Sequence, residues 1–138
     1  TYFPNYEYGL VLKEGGVAFD TIRSIHQNTI EIDEVFNLED IGGSATLNIT
    51  TTYHENEADN MRAYFKNNSI SSIKREYENY YSNYFSRVNA IMNPEIKDDI
   101  KANLFVVKEA YKIDSIWVPI ADNKTALYTI EYIMLTSF

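Results

Sequence analysis

The residues able to do chemistry in this 138-residue chain are few and poorly spaced. Cysteine is absent, so a thiol nucleophile, a disulfide framework and a thiolate metal site are all excluded within these residues. The two histidines, His26 and His54, show neither H-x-x-x-H nor H-E-x-x-H spacing, so neither reads as a metal ligand. Glu31, Asp33, Glu34, Glu39 and Asp40 crowd one stretch, but without a D-x-[DN]-x-[DN]-G loop they read as the wet acidic face of a strand and its turn. Asp98 and Asp99 are adjacent, whereas a glycosidase pair needs two separate acids across a cleft. They read as a polar turn. No G-x-S-x-G elbow occurs, and Gly15-Gly16 and Gly42-Gly43 are isolated turn signals rather than a phosphate cradle. The expectation is a segment with no catalytic residue, no metal ligand and no cofactor.

Aromatic residues are the other chemical resource. Residues 77 to 85 read Y-E-N-Y-Y-S-N-Y-F in a chain with twelve tyrosines, which raises two alternatives: an exposed platform for a glycan or peptide, or the inner stripe of a helix. Ile70, Ile73, Tyr77, Tyr80 or Tyr81, and Tyr84 recur at three- and four-residue steps, while Lys74, Arg75, Glu76 and Glu78 point elsewhere. The spacing predicts an amphipathic helix ending near Phe85, with Tyr77, Tyr84 and one of Tyr80 and Tyr81 in the core. Adjacent helical residues diverge by about 100°, so one of that last pair is left for solvent. Tyr80, Tyr81 and Trp117 are the candidate binding residues, although a single tryptophan between Ile116 and Val118 is expected to be at least partly buried.

The elements that position these residues follow from periodicity. From Tyr2 to Leu12 a turn around Pro4-Asn5 runs into a short apolar strand that ends near Lys13-Glu14-Gly15-Gly16. Thr29 to Asn37 alternates, with Ile30, Ile32 and Val35 opposing Glu31, Asp33 and Glu34. The clearest strand is A-T-L-N-I-T-T-T-Y, with Ala45, Leu47, Ile49, Thr51 and Tyr53 on one face. Past Asn56 the period changes to helical, with Ala58, Met61 and Phe65 on one stripe. Asn67-Asn68 breaks this helix, and Ser69 caps a second one. Residues 102–113 read as an inner strand, with Phe105, Val107, Tyr111 and Ile113 on one face and Leu104, Val106 and Ala110 on the other. Further β-compatible segments surround Trp117 and span Ala126 to Leu135, with a turn at Asp122-Asn123-Lys124 between them. The predicted fold class is α+β: a mainly antiparallel sheet or sandwich with a two-helix excursion around residues 57–86.

Twenty acidic against twelve basic residues give a net charge of −8, which repels a phosphate backbone and argues against a nucleic-acid partner. No apolar run approaches the roughly 18 to 20 residues of a spanning helix, so membrane insertion is not expected. The chain opens at Thr1 in mid-pattern, as an excised segment would.

The order of motifs from Ala45 to Trp117 carries a family resemblance. A threonine-rich strand, T-L-N-I-T-T-T-Y, leads into A-D-N-M-R at 58–62, then E-Y-E-N-Y-Y at 76–81, then K-D-D and K-E-A-Y-K-I before I-W. This order resembles the region after the catalytic core in bacterial multidomain transglutaminase-like proteins with an N-terminal DUF3857-type domain, and Y-E-Y-G-L-V-L at 6–12 looks like the chain leaving that core. The resemblance implies residues 1–22 as a leading strand or linker and residues 23–138 as a β-sandwich-like accessory domain with a helical insertion. It also implies an upstream papain-like core in the same polypeptide as partner, a protein or peptide substrate, and a periplasmic or extracellular location. The family's Cys-His-Asp triad has no counterpart here, and neither His26 nor His54 matches a triad position. The purified chain is therefore expected to show no amidase or acyl-transfer turnover on peptides. Turnover that disappears on replacing His26 or His54 would overturn that expectation.

Overall fold

The computed structural model describes residues 8–21, 29–40, 42–114, 116–119 and 126–127. His26, the turns expected at Pro4-Asn5 and Asp122-Asn123-Lys124, and the 128–135 portion of the last expected strand lie outside the described residues. Nine strands and two helices are seen among them: β1 (Tyr8–Lys13), β2 (Gly16–Thr21), β3 (Ile30–Leu38), β4 (Ala45–His54), α1 (Glu55–Asn67), α2 (Ile70–Ser82), β5 (Val88–Ala90), β6 (Glu95–Asp99), β7 (Leu104–Ile113), β8 (Val118–Pro119) and β9 (Ala126–Leu127). The fold is α+β with a mostly antiparallel sheet, and the two consecutive helices fall where the change of period places them.

β1 and β2 form a two-stranded hairpin of their own, closed by Glu14 and Gly15 between the paired Lys13 and Gly16. Gly15 has φ +84°, a conformation that only glycine enters without a Cβ penalty. The leading segment is thus a hairpin over 8–21 rather than a single strand. The main sheet has the order β3-β4-β7-β5, and β6 also pairs with β7. Both β5 and β6 run antiparallel to β7, with Val88 opposite Ile113 and Glu95 opposite Lys108. β8 and β9 make a short antiparallel pair.

These residues divide into two compact units, and β3, β4 and β7 each contribute to both. The first holds the hairpin, α1, β6, the end of β4 from Thr50 and the start of β7 up to Lys108. Its core is fixed by Thr51, Ala58, Phe105 and Val107, all buried, with the Phe65 ring of α1 against Phe105 at 5.4 Å. The second holds β3 from Glu34, β4 up to Ile49, α2, β5 and β7 from Glu109. Ala45, Leu47, Ile49, Ile73, Tyr81, Phe85, Ala110, Tyr111, Ile113 and Ile116 are buried in it, and Phe36 meets Phe85 edge to face at 6.1 Å.

Alternation in β4 is as expected, with Ala45, Leu47, Ile49 and Thr51 buried. In β3 the phase differs from the expectation. Val35 is 53% exposed, and Glu34 takes the inner parity with Ile30, Ile32 and Phe36. The pleat has a strict period of two, so an apolar residue at an odd position cannot turn inward without a bulge.

α2 also departs from the expected stripe. The buried line is Ile73, half-buried Tyr77, Tyr81 and then Phe85, one residue in four. The helix stops at Ser82, where Ser82 Oγ donates to the Glu78 carbonyl at 2.7 Å and Asn83 Nδ2 donates to the Asn79 and Tyr80 carbonyls, both at 3.2 Å. These side chains satisfy the last carbonyls and end the helix early. Tyr84 therefore lies past the helix and is 45% exposed rather than in the core. Truncating Tyr81 to Ala is expected to destabilise the fold by about 3 kcal/mol or more, as emptying a buried aromatic site does, whereas Tyr84→Ala is expected to change stability by less than about 1 kcal/mol. Urea denaturation of the two variants checks this, and equal losses would contradict the assignment of Tyr81 to the core and Tyr84 to the surface.

Candidate functional site

The second unit places two acids on a face otherwise apolar. In β7, Phe105, Val107, Glu109, Tyr111 and Ile113 share one parity, and all are buried except Glu109, which is half-buried. The Tyr111 hydroxyl donates to the Glu109 carboxylate. Burial pushes the Glu109 carboxyl up; the Tyr111 hydrogen bond opposes the rise, and the negative charge of Glu34 adds to it, leaving the group at about 7. Burial raises Glu34 as well. The Tyr111 phenol is pushed far up, first by burial and then by the charge of Glu109. A carboxyl held partly protonated near neutrality is the property of a general acid or a proton switch.

A run of tyrosine rings leads from this acid to the surface. Tyr81 packs on Tyr111 with ring centroids 4.7 Å apart, Tyr80 meets Tyr81 edge to face at 5.1 Å, and Tyr80 meets Tyr84 at 5.4 Å with planes inclined by 58°. The outer two are exposed, Tyr80 by 36% and Tyr84 by 45%. Their hydroxyls interact, and the hydrogen bond with Tyr80 pushes the Tyr84 phenol up. At this separation the two rings touch, forming an exposed aromatic wedge whose outer faces can pack against a proline or an aliphatic stem.

In the first unit the polar groups are bound to one another. Arg62 of α1 donates from Nε to Asp98 Oδ1 at 2.8 Å, from Nη1 to Asp59 Oδ1 at 2.7 Å and to Asn103 Oδ1 at 2.6 Å, and from Nη2 to the Leu104 carbonyl at 3.3 Å. Burial would lower the guanidinium pKa, but the hydrogen bonds and charges of Asp98 and Asp59 push it up. Asn103 is buried. Its Nδ2 donates to Glu55 Oε2 at 3.3 Å, and its carbonyl accepts from the Glu55 amide at 3.1 Å. Glu55 and Asn103 both have left-handed backbones, at φ +52° and +51°. Each such position costs of order 1 to 3 kcal/mol, and the reciprocal bonds hold both in place. With every guanidinium nitrogen engaged, this cluster is a tie between α1 and the β6–β7 hairpin.

The expected residues fall as follows. Tyr80 lies on the surface and Tyr81 beneath it, so the structure brings them together with one inside and one outside. Trp117 is half-buried, next to buried Ile116. Asp98 and Asp99 are the last two residues of β6 rather than a turn; Asp98 engages Arg62, while Asp99 Oδ1 accepts from the amides of Lys101 at 3.1 Å and Ala102 at 3.0 Å in the turn that follows. His54 Nε2 is buried without a hydrogen bond and lies 3.4 Å from Glu31 Oε1. Among the described residues no group of three or more His, Cys, Asp or Glu could hold a metal ion, and no helix is long and apolar enough to cross a membrane. Glu34, Glu109 and Arg62 are the residues that sequence reasoning missed. For the two acids the signal was present, because each occupies the parity of its strand's apolar face.

No protein-family model, curated protein or solved structure matches the chain.

The protonation of Glu109 sets a pH dependence. Its folded value, about 7, lies above its ordinary 4.5, so the stabilisation from the bound proton is fully present below about pH 4.5 and is lost as pH rises through about 7. The loss amounts to about 3 kcal/mol for a shift of this size, and Glu34 adds to it in the same direction. Urea midpoints measured from pH 5 to 8 are expected to fall for the wild type and to fall much less for Glu109→Gln. Parallel profiles would remove Glu109 as the cause.

Proposed function

We propose that the chain is a non-catalytic accessory domain that captures an extended peptide segment at the Tyr80–Tyr84 wedge. The observation that carries this reading is the exposed ring pair itself, braced from behind by buried Tyr81 and Tyr111. A braced pair loses little side-chain entropy on binding, which is the advantage of rigid aromatic anchors. The net charge of −8 favours a cationic partner, and guanidinium groups also stack on tyrosine faces. A proline-containing segment is already extended and can pack on the exposed faces of the two rings. An alternating arginine–proline peptide combines both features.

The order of motifs from Ala45 to Trp117 supports a transglutaminase-like setting, in which such a surface would position a protein substrate for an upstream catalytic core in the same polypeptide, outside the cytoplasm. A glycan is the second reading, since exposed tyrosine faces also stack on sugars, but the net charge of −8 favours a cationic peptide.

Titration of the labelled domain with the alternating arginine–proline peptide is expected to move the Tyr80 and Tyr84 ring resonances. Tyr80→Ala and Tyr84→Ala are each expected to weaken binding about tenfold, in the range of an aromatic hot spot, while the far-ultraviolet spectrum stays unchanged. Undiminished binding in the Tyr80→Ala, Tyr84→Ala double variant would refute the wedge as the site, and retention on a glycan array in place of the peptide would promote the second reading.

A further inference from the structure

We propose that the proton on Glu109 governs the Tyr80–Tyr84 wedge, which holds its peptide while that carboxyl is neutral and releases it once the carboxyl is ionised; this rests on the peptide-capture reading above. The geometry supplies a continuous path. Glu109 accepts from the Tyr111 hydroxyl, the Tyr111 ring supports Tyr81 at 4.7 Å, Tyr81 supports Tyr80 at 5.1 Å, and Tyr80 supports Tyr84 at 5.4 Å. A displacement at the buried end cannot be absorbed without moving a ring, because interiors are close-packed.

The surroundings of Glu109 give ionisation its direction. Glu34 of β3 adds negative charge, and Tyr77 and Tyr81 of α2 act on Tyr111. β4 contributes Ala45, Leu47, Ile49 and Thr51 on its buried face, with half-buried Tyr53 further along the same parity, and β5 offers Val88 and Ala90 as its half-buried positions. Elsewhere on α2, Lys74 is half-buried one turn before Glu78, and the Glu78 carboxylate accepts from the Ala90 amide at 2.7 Å. Lys108 and Lys112 on β7 are exposed and take the opposite parity. An ionised Glu109 thus faces a second carboxylate and aromatic walls, and gains favourable solvation only by admitting water. The water enters where α2 covers β7, which lifts Tyr81 from Tyr111 and spreads the outer pair. The bistable element is the last turn of α2, docked or lifted. Peptide held by the closed wedge favours the docked state, and by linkage it raises the affinity of Glu109 for its proton.

The test begins with peptide-free protein carrying ring-labelled tyrosine, followed by NMR from pH 5 to 9. The Tyr80 and Tyr84 ring resonances are expected to titrate together with a midpoint close to neutral, to stay still in Glu109→Gln, and to titrate at lower pH in Glu34→Gln. Tyr111→Phe removes the bond that favours the ionised carboxylate, so its midpoint is expected to move up; this variant keeps the test alive if Glu109→Gln does not fold. Resonances that stand still in the wild type, or that move alike in wild type and Glu109→Gln, would overturn the proposal. In the second stage the alternating arginine–proline peptide is expected to bind the wild type about fivefold or more weakly at pH 8.5 than at pH 5.5, and to bind Glu109→Gln equally at both. Rings that titrate as expected while no peptide binds at any pH would support the coupling and reject the capture reading. Tyrosine-dependent binding that is equal at both pH values in the wild type would uphold capture and reject the coupling.

Discussion

The pleat of β7 is the constraint from which the rest follows. This strand pairs with β4 on one side and with β5 and β6 on the other, so its ten residues have no freedom to slide. Register fixes parity, and parity commits Phe105, Val107, Glu109, Tyr111 and Ile113 to a single face. Four of these are good core residues. The fifth is an acid, and the strand cannot turn it outward without exposing the other four. Glu109 is instead given a hydroxyl partner two residues along the same face, an arrangement that the same parity guarantees.

The conflict between a charged group and an apolar face is resolved by a proton rather than by a cation. A buried lysine or arginine partner would have fixed the charge state and made an ion pair insensitive to mild changes in pH. A tyrosine partner can donate to either form of the carboxyl, so the Tyr111 hydrogen bond does not by itself fix the charge state. The first unit adopts the opposite solution. There Arg62 gathers two carboxylates, a side-chain amide and a carbonyl, and the acids are met by a cation.

Much of this fold could be read from the order of residues. The run from Ala45 to Tyr53 alternates cleanly and is a strand; the break at Asn67-Asn68 separates two helices because Asn68 folds back onto the Tyr64 carbonyl. What resisted reading has identifiable causes. β6 carries one isoleucine among charges and is exposed throughout, so its strand character comes from pairing with β7 and leaves no periodic trace. The end of α2 depends on whether Ser82 and Asn83 turn back to the helix carbonyls, a choice that period counting does not see. Tyr81 and Tyr84 are equivalent on a helical stripe until that choice is made. Glu34 and Glu109 were legible in principle, and were obscured by the habit of assigning every acid to the wet face. The Arg62 cluster was not legible at all, since it joins positions separated by 36 and 41 residues.

That cluster also shapes how the chain can vary. Glu55, Asp59, Arg62, Asp98 and Asn103 form one connected set, in which loss of Arg62 or Asn103 removes a partner from several of the others. A single replacement passes through an intermediate with an orphaned charge or an unsupported left-handed backbone, so the five positions are free to change only in concert. The joint between β4 and α1, where strand becomes helix with no residue between them, inherits the same rigidity. Insertions there would detach Glu55 from Asn103, whereas the Glu14-Gly15 turn closes only the β1–β2 hairpin and is a place where length can change.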